Sequence, residues 1–440
     1  MAERCFIGID VGGTKVYGGL VTSSGEVLGT KKYATPPRAG VREVEGLVLK
    51  LVRSLTDEFD IPVKSLAGVG LAVPGIVDNA GRVLATPNLC LGSVDLKKIL
   101  VKRLKVPVGL GNDVNLGVLG ERWLGAGRRA ANIVGLFLGT GVGGGVIVKG
   151  GFLTGTQGAA AELGHMTVDL EGPRCTCGNK GCLEAVMGRW ALERDIRAAI
   201  KRGERSVITD IAGKDLAQVK SSALAKALKA RDPLVTRVFK SAVDTLASAC
   251  VSLNHLFNPE LFLFGGGVVE ACGEHILPQV QAALKKDPFF RKLDTPKVAV
   301  SKLGDDAVML GAVAMMLPGG AGNELKRLGY YPPVRVTDTG RVMVKGRLIE
   351  STRFIRADGK LKEPKDILPS ALGDDDLADI CKKGPDLLIV GLSRTRRVVV
   401  TAKGLAFLKK KNIALHILPM AAAVKAFNTA EERRAMLFYM

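Results

Sequence analysis

Three glycine-rich segments, each placed straight after an apolar run, restrict the folds open to this chain: DVGGTK at 10–15, LGTGVGGG at 138–145 and FGGGV at 264–268. Ordering so much glycine opposes folding through lost backbone entropy, so such runs usually have a reason. A glycine turn at a strand end offers backbone N–H groups to phosphate oxygens. A stretch without side chains also lets a flat ring lie close. Taken singly, each segment is equally a plain hairpin turn. Together, on the strand ends of one α/β unit, they point to a nucleotide. None is a Walker A loop, because GxxxxGK[ST] is absent. The first two segments both sit between strands, which suggests two similar α/β lobes with a cleft between them.

Around these turns the apolar pattern alternates in period. FIGIDV, GGLVT and EVLGTKKYA (6–34) predict three strands, and residues 41–59 predict a helix. AGVGLAVPG (67–75) predicts a strand, 94–104 a helix, and VPVGLGND (106–113) a strand running into a helix that reaches Ala126. Residues 132–153 predict a second hairpin set, followed by helices through 188–230 and 233–256. LFLFGGGVV (261–269) reads as a strand ending in a glycine loop. This is an α/β pattern.

Gly, Pro and Asn cluster over 317–334, after which the pattern restarts. The last 121 residues, 320–440, hold 23 Lys+Arg against 13 Asp+Glu, half of the whole chain's net +20. Such a charge suits nucleic acid, an anionic membrane or a polyanionic substrate, or is simply a basic solvated surface. The last reading is preferred, because aromatic residues make up only 5% of the chain and no base-stacking motif is present. The N-terminus lacks a signal-peptide core, and apolar runs such as 310–317 fall well short of a membrane span. A cytoplasmic protein with no membrane and no DNA partner is expected.

Chemistry concentrates at a few positions. Asp10, at the end of the first predicted strand, can hold a magnesium-bound water, and Lys15 can meet a phosphate. In GNDVN (111–115), Asp113 is placed as a general base and Asn112 as a ligand for a polyol. A helix cap explains the same pair equally well. Phosphoryl transfer asks for a positioned base, a metal and charge stabilisation, and for little covalent chemistry. His165, Cys175, Cys177 and Cys182 follow the spacing H-x9-C-x-C-x4-C. One imidazole and three thiolates make a closed tetrahedral site for a structural zinc ion, with no open position for catalysis. A disulfide is a poor reading in an intracellular chain. Glu162 and Glu184 flank this knot, which would fix both carboxylates against the cleft, where they can bind sugar hydroxyls. His165 can serve zinc with one ring nitrogen and substrate with the other.

These pieces, in the order DVGGTK, GLAVPGIVD, GNDVNLGVLGE, LGTGVGGGVIV, ELGH…CTCGNKGCLE, FGGGV and LGAVAM, resemble the ROK (repressor, open reading frame, kinase) family of sugar kinases and repressors. The resemblance implies an actin-like ATPase (ribonuclease H-like) fold over residues 1–318. Its small lobe would span about 1–112 plus 300–318. Its large lobe would span about 113–299 and carry the zinc knot at 165–182. The resemblance makes Asp113 the base for the sugar 6-hydroxyl. It assigns Asn112, Glu162, His165 and Glu184 to the sugar, and sets Gly75 and Asn88 along the same pocket. Asp10, Gly12, Gly13, Thr14 and Lys15 become the first phosphate loop, Gly139, Thr140 and Gly141 the second, and Gly265, Gly266 and Gly267 flank adenosine. The implied substrates are a hexose and ATP with Mg2+, and the implied assembly is a homodimer or homotetramer. Family repressors carry a helix-turn-helix ahead of the first loop, whereas five residues precede Phe6, so a kinase is expected. The CxCGxxGC spacing is similar to the glucokinase, N-acetylmannosamine and N-acetylglucosamine kinase branches, with glucose the first choice. A non-catalytic sugar sensor or scaffold and a polyphosphate-dependent kinase are the alternatives.

Residues 319–331 read as a linker. Residues 332–440 resemble a small α/β domain of unknown activity, shared with a mitochondrial NADH:ubiquinone oxidoreductase assembly factor. The strand-turn pattern from TDTGRVMVKGRL and the stretch PDLLIVGLSRTRRVVVTAKGLAFLKKKNIALHIL carry this resemblance, with GLS in place of the family's GTG-type turn. Its basic runs RTRR (394–397) and KKK (409–411) suggest docking to an unidentified partner.

Overall fold

Glycine hairpins and apolar strands build two sheets of one design. In the first, β1 (Cys5–Val11), β2 (Lys15–Thr22), β3 (Val27–Ala34), β4 (Gly68–Val73) and β7 (Val108–Asn112) lie in the order β3-β2-β1-β4-β7. A small hairpin of β5 (Ile76–Val77) and β6 (Val83–Ala85) intervenes in the chain. In the second sheet, β8 (Ile133–Leu138), β9 (Val142–Val148), β10 (Gly151–Phe152), β11 (Leu261–Gly265) and β12 (Lys297–Val300) lie in the order β10-β9-β8-β11-β12. Each sheet starts with an antiparallel hairpin and continues with two parallel strands. The glycine turns of the first two segments are the tips of the two equivalent hairpins.

The computed structural model describes residues 4–128, 130–213, 216, 219–317, 334–337, 341–344, 347–357, 360–364, 370–382, 384–393, 397–429 and 434–439. It divides into two units, Met1–Gly322 and Asn323–Met440. The expected linker at 319–331 lies outside the described residues, as do three of the four residues of RTRR.

Helices α1 (Val41–Glu58) and α2 (Leu96–Leu104) bury their apolar faces on the outer side of the first sheet. The helices expected through 188–230 are α5 (Arg189–Lys201), α6 (Ile208–Ala212) and α7 (Ser221–Lys229), interrupted where Gly203 and Gly213 take positive φ. These helices follow the short α4 (Glu184–Met187) and pack with α8 (Pro233–Phe257) and α9 (Gly267–Lys286) on the second sheet. α9 starts at Gly267, so the third glycine segment ends in a helix N-terminus, not in the expected loop.

Two helices run between the sheets: α3 (Asp113–Leu124) and α10 (Asp306–Ala314). They cross backbone to backbone. A Cβ on Gly120 would lie 2.0 Å from the Ala307 carbonyl oxygen, and one on Gly311 would lie 1.7 Å from that of Leu116. α10 also lies directly on β1 and β4, where Gly8 and Gly70 leave room for the carbonyls of Met309 and Ala312. Buried Glu121 locks the crossing. One carboxylate oxygen accepts from Ser301 Oγ at 2.6 Å, Lys302 N at 2.8 Å and Leu303 N at 2.7 Å, and the other accepts from Ala126 N at 2.7 Å.

The second unit has a sheet ordered β17-β16-β22-β19-β21, from β16 (Arg353–Ile355), β17 (Leu361–Lys362), β19 (Leu387–Leu392), β21 (Ala414–Pro419) and β22 (Arg434–Tyr439). Helices α11 (Asp374–Ile380) and α12 (Ala402–Lys410) cover one face. Helix α13 (Met420–Thr429) covers the other, with a small sheet of β13 (Val334–Val336), β14 (Val342–Val344) and β15 (Arg347–Ile349). A two-stranded pair, β18 (Ala371–Leu372) with β20 (Val399–Val400), completes it. Among the described residues no helix is long and apolar enough to cross a membrane.

Substituting Gly311→Ala places a methyl group on a backbone oxygen and is expected to destabilise the first unit by about 1–3 kcal/mol. Thermal unfolding checks this, and an unchanged transition would show that the helices separate without penalty.

Candidate active site

Strands β1, β4 and β7 end side by side: Asp10 pairs in register with Ala72, and Ala72 with Gly111. Two strand spacings, about 10 Å, therefore separate Asp10 from the start of GNDVN. At that end the chain turns directly into α3. Asn112 is its N-cap, the side-chain oxygen accepting from Asn115 N at 2.9 Å and the amide donating to the Gly75 carbonyl at 3.0 Å. The cap reading of Asn112 is thus realised, with one of the two amide N–H groups donated to Gly75. Gly75 has φ +99, and a Cβ there would meet the Ala85 carbonyl at 2.1 Å. Asp113 is the first residue of α3. One carboxylate oxygen accepts from Val114 N at 2.9 Å.

Three carboxyl groups in this region are held above their ordinary range. Burial pushes Asp113 up to about 6, with the charge of Glu162 adding to it. Burial and the neighbouring Asp113 push Asp10 up to about 7, while Lys15 opposes the shift. Burial also raises Glu162, which His165 counters and Glu184 reinforces. Such perturbed acids gathered in one cleft are typical of a catalytic centre.

The first glycine turn is held from behind. Gly12 N donates to the Lys15 carbonyl at 2.9 Å, Thr35 Oγ to the Gly12 carbonyl at 2.8 Å, and Thr35 N to the Thr14 carbonyl at 2.9 Å. With the carbonyls taken, the N–H groups of Gly13 and Thr14 have no protein acceptor among the described residues. Asn88 is exposed and abuts this turn, its Cβ 2.9 Å from where a Cβ on Gly13 would stand. Lys15 pairs with Asp305 at 2.8 Å, so its charge is shared with the loop before α10.

The second turn is built the same way. Gly139 N donates to the Gly141 carbonyl at 2.9 Å, Arg189 N to the Gly139 carbonyl at 3.1 Å and Trp190 N to the Thr140 carbonyl at 3.2 Å. The start of α5 thus pins the turn's carbonyls and leaves the N–H groups of Thr140 and Gly141 without a protein acceptor among the described residues. Gly266, with φ +86, packs against the Leu138 carbonyl, which sets the third glycine segment beside the second turn. Gly265 makes room for the Phe137 ring, and Gly267 opens α9 near Ser221.

The ligand atoms of His165, Cys175, Cys177 and Cys182 all lie within 4.8 Å of one another. Cys177 and Cys182 sulfurs are 3.7 Å apart, and Cys175 Sγ is 3.7 Å from His165 Nδ1. Zinc–sulfur bonds of about 2.3 Å in a tetrahedron place sulfurs about 3.8 Å apart, so the donor set and its spacing fit zinc. From this knot Glu184 reaches the second turn. One oxygen accepts from Val142 N at 3.0 Å and the other from Thr176 Oγ at 3.1 Å. Glu162, whose carboxyl group lies against His165 and Glu184, directly precedes the 3₁₀ turn Leu163–His165.

Sequence reasoning did not single out Arg189, Asp305 or Glu121. Their partners lie 49, 290 and up to 182 residues away in the chain, so no local motif reveals them.

Paired glycine-turn hairpins on two like sheets, with a buried carboxyl group at one strand end, define an actin-like ATPase fold built for phosphoryl transfer. The ROK family pattern matches residues 6–318, and the chain belongs to that family. It is 36% identical over 318 residues to the glucokinase of Thermotoga maritima, covering 72% of this chain and 98% of that one. It is 30% identical over 321 residues to the xylose repressor of Caldicellulosiruptor bescii, covering 71% of this chain and 77% of that one. A ROK glucokinase from Streptomyces griseus, solved in complex with glucose and AMPPNP, superposes with a TM-score of 0.59 at 30% identity, covering 70% of this chain and 97% of that chain.

Replacing Cys177→Ser is expected to abolish stoichiometric zinc binding and to lower the melting temperature, since metal binding and local folding are linked. Metal analysis of the purified variant, with Trp190 emission as a local report, checks this. Unchanged zinc and melting temperature would refute the ligand set.

Proposed function

We propose that this protein is an ATP-dependent hexose kinase that phosphorylates the 6-hydroxyl of its sugar, with glucose the leading substrate and Asp113 the general base. Family membership and the opposed glycine turns support the kinase class. The observation that carries the base is the setting of Asp113. It stands at the strand end facing the cleft, with one oxygen fixed by Val114 N and a carboxyl pushed up to about 6. A base with a pKa near the working pH combines ionisation with proton affinity. The oxygen not held by Val114 takes the hydroxyl proton as the sugar oxygen bonds to the γ-phosphorus and the bond from that phosphorus to the β,γ-bridging oxygen breaks, releasing ADP.

In this reading the sugar lies between Asp113 and the knot, bonded to Glu162, His165 and the oxygens of Glu184, which keep lone pairs free beyond the bonds they already accept. Asn112 fixes the α3 terminus and Gly75 with its side-chain oxygen and one amide N–H, and in this reading it also contributes to holding the sugar. The free N–H groups of both glycine turns receive phosphate oxygens, and Asp10 faces the Mg2+ that arrives with ATP. Zinc, when bound, cross-links the segment that carries Glu162, His165 and Glu184 and takes no part in the transfer.

Asp113→Asn is expected to lower kcat by about 10²–10⁴-fold while zinc content and the melting profile stay close to wild type. Turnover within a few fold of wild type would remove Asp113 from the role of base. Because the base must be ionised, kcat/KM should fall as pH drops through about 6, following the direction in which Asp113 is shifted. A flat profile down to pH 5 would contradict this. ADP release with Mg-ATP over glucose, mannose, fructose, allose, N-acetylglucosamine and N-acetylmannosamine tests the substrate. Turnover on none of them would favour a sugar-sensing role, the alternative raised by the xylose repressor's similarity over the same segment.

A further inference from the structure

We propose that Arg189 is the cationic contact for the non-transferred phosphates of the nucleotide, an inference that rests on the kinase reading. Arg189 is the first residue of α5 and its backbone already holds the second glycine turn. Its guanidinium reaches over the same turn, Nη2 donating to Thr140 Oγ at 2.9 Å and Nη1 to the Val219 carbonyl at 3.3 Å. Both partners are neutral. Among the described residues no carboxylate pairs with it, whereas Lys15 on the first turn is paired with Asp305.

The position lies between two nucleotide-facing elements. On one side is the turn with its unsatisfied N–H groups. On the other, the chain from Val219 leads to Ser221, whose hydroxyl stands 3.8 Å from a Cβ position on Gly267, where α9 begins. A phosphate chain joining the transferred group at the turn to a nucleoside beside Gly266 and Gly267 passes Arg189.

The local electrostatics point the same way. A cation at the first position of a helix opposes the macrodipole, and the first turn of α5 holds no acidic residue to offset it. Without an anion the arrangement is unfavourable. With a diphosphate, the guanidinium, the N–H groups of Thr140 and Gly141 and the Thr140 hydroxyl converge on one group. Because Thr140 Oγ accepts from Arg189, its own proton is directed away and is available to a phosphate oxygen. Planar bidentate donation is what distinguishes Arg from Lys at such a site.

The test uses the full-length, zinc-loaded protein with Arg189→Gln and Arg189→Lys variants. Mg-ADP binding is measured by calorimetry at two salt concentrations, and KM is measured separately for ATP and for the sugar. For the Gln variant, ADP binding should weaken and the KM for ATP should rise by about tenfold or more, while the KM for sugar, zinc content and melting temperature hold. The salt dependence of ADP binding should become shallower, and Lys should restore part of the loss. Equal ADP affinity in wild type and the Gln variant would overturn the proposal. So would parallel losses of ADP binding, sugar KM and melting temperature with Lys no better than Gln, which would mark a packing role. Wild-type protein that binds no ADP would instead overturn the kinase reading beneath it.

Discussion

The crossing of α3 and α10 is the contact on which the rest of the first unit depends. Helices with ordinary side chains pack 8–10 Å apart, whereas glycine at the contact lets two backbones meet. Gly120 and Gly311 supply that closeness, and Gly8 and Gly70 let α10 settle on the first sheet. The chain passes from one sheet to the other at Asn112–Asp113 and returns through 301–306, and Glu121 bonds the return segment to α3. Both passages are therefore tied into one body. Asp113 begins one of its helices. Asp305 and Asp306 begin the other and hold Lys15 and Tyr17 of the first hairpin. Asp113 and the first turn are thus anchored to the same crossing.

The cluster of His165, Cys175, Cys177 and Cys182 would perform the matching task in the other lobe. A loop with so few apolar residues gains little from burial, and a metal held by these four ligands would supply the cross-link in place of a core. Glu184 leaves the knot and accepts from Val142, the first residue after the second turn. Five residues on, Arg189 grips the turn itself. One short stretch thus supports both Glu184 and the second glycine turn, so in the proposed reading the two substrates would share a scaffold.

Much of this was legible in the sequence because glycine and cysteine carry conformational and chemical information by themselves. DVGGTK and LGTGVGGG marked hairpin tips, and H-x9-C-x-C-x4-C marked a cluster that the fold does bring together. What escaped was set by distance in the chain. Nothing near Lys15 in the sequence reveals its partner Asp305, 290 residues on. Nothing local marks Glu121 either, yet it is fully buried and four donors converge on it. Asn112 offered two local readings, and the fold realises the helix cap while adding a bond to Gly75 that no local motif reveals. In the second unit the closing stretch carried no turn signal, and RAMLFY proves to be a strand inside the sheet, between β16 and β19, buried on both faces.

The two sides of the cleft have opposite electrostatic needs, and this explains how one fold can bring a sugar and a nucleotide together. On the acidic side, Asp10, Asp113, Glu162 and Glu184 crowd acceptors into a partly desolvated space, and their mutual repulsion is part of why the carboxyl groups of the first three are shifted upward. Hydroxyl groups relieve that crowding by donating, and so does a divalent cation near Asp10. On the phosphate side, N–H groups with their carbonyls pinned behind them, together with Arg189, require an anion. A polyol alone satisfies the first set and a polyphosphate alone the second. Only the pair, meeting at Asp113 where the acidic side borders the first turn, satisfies both, and that border is where a phosphate must cross from one substrate to the other.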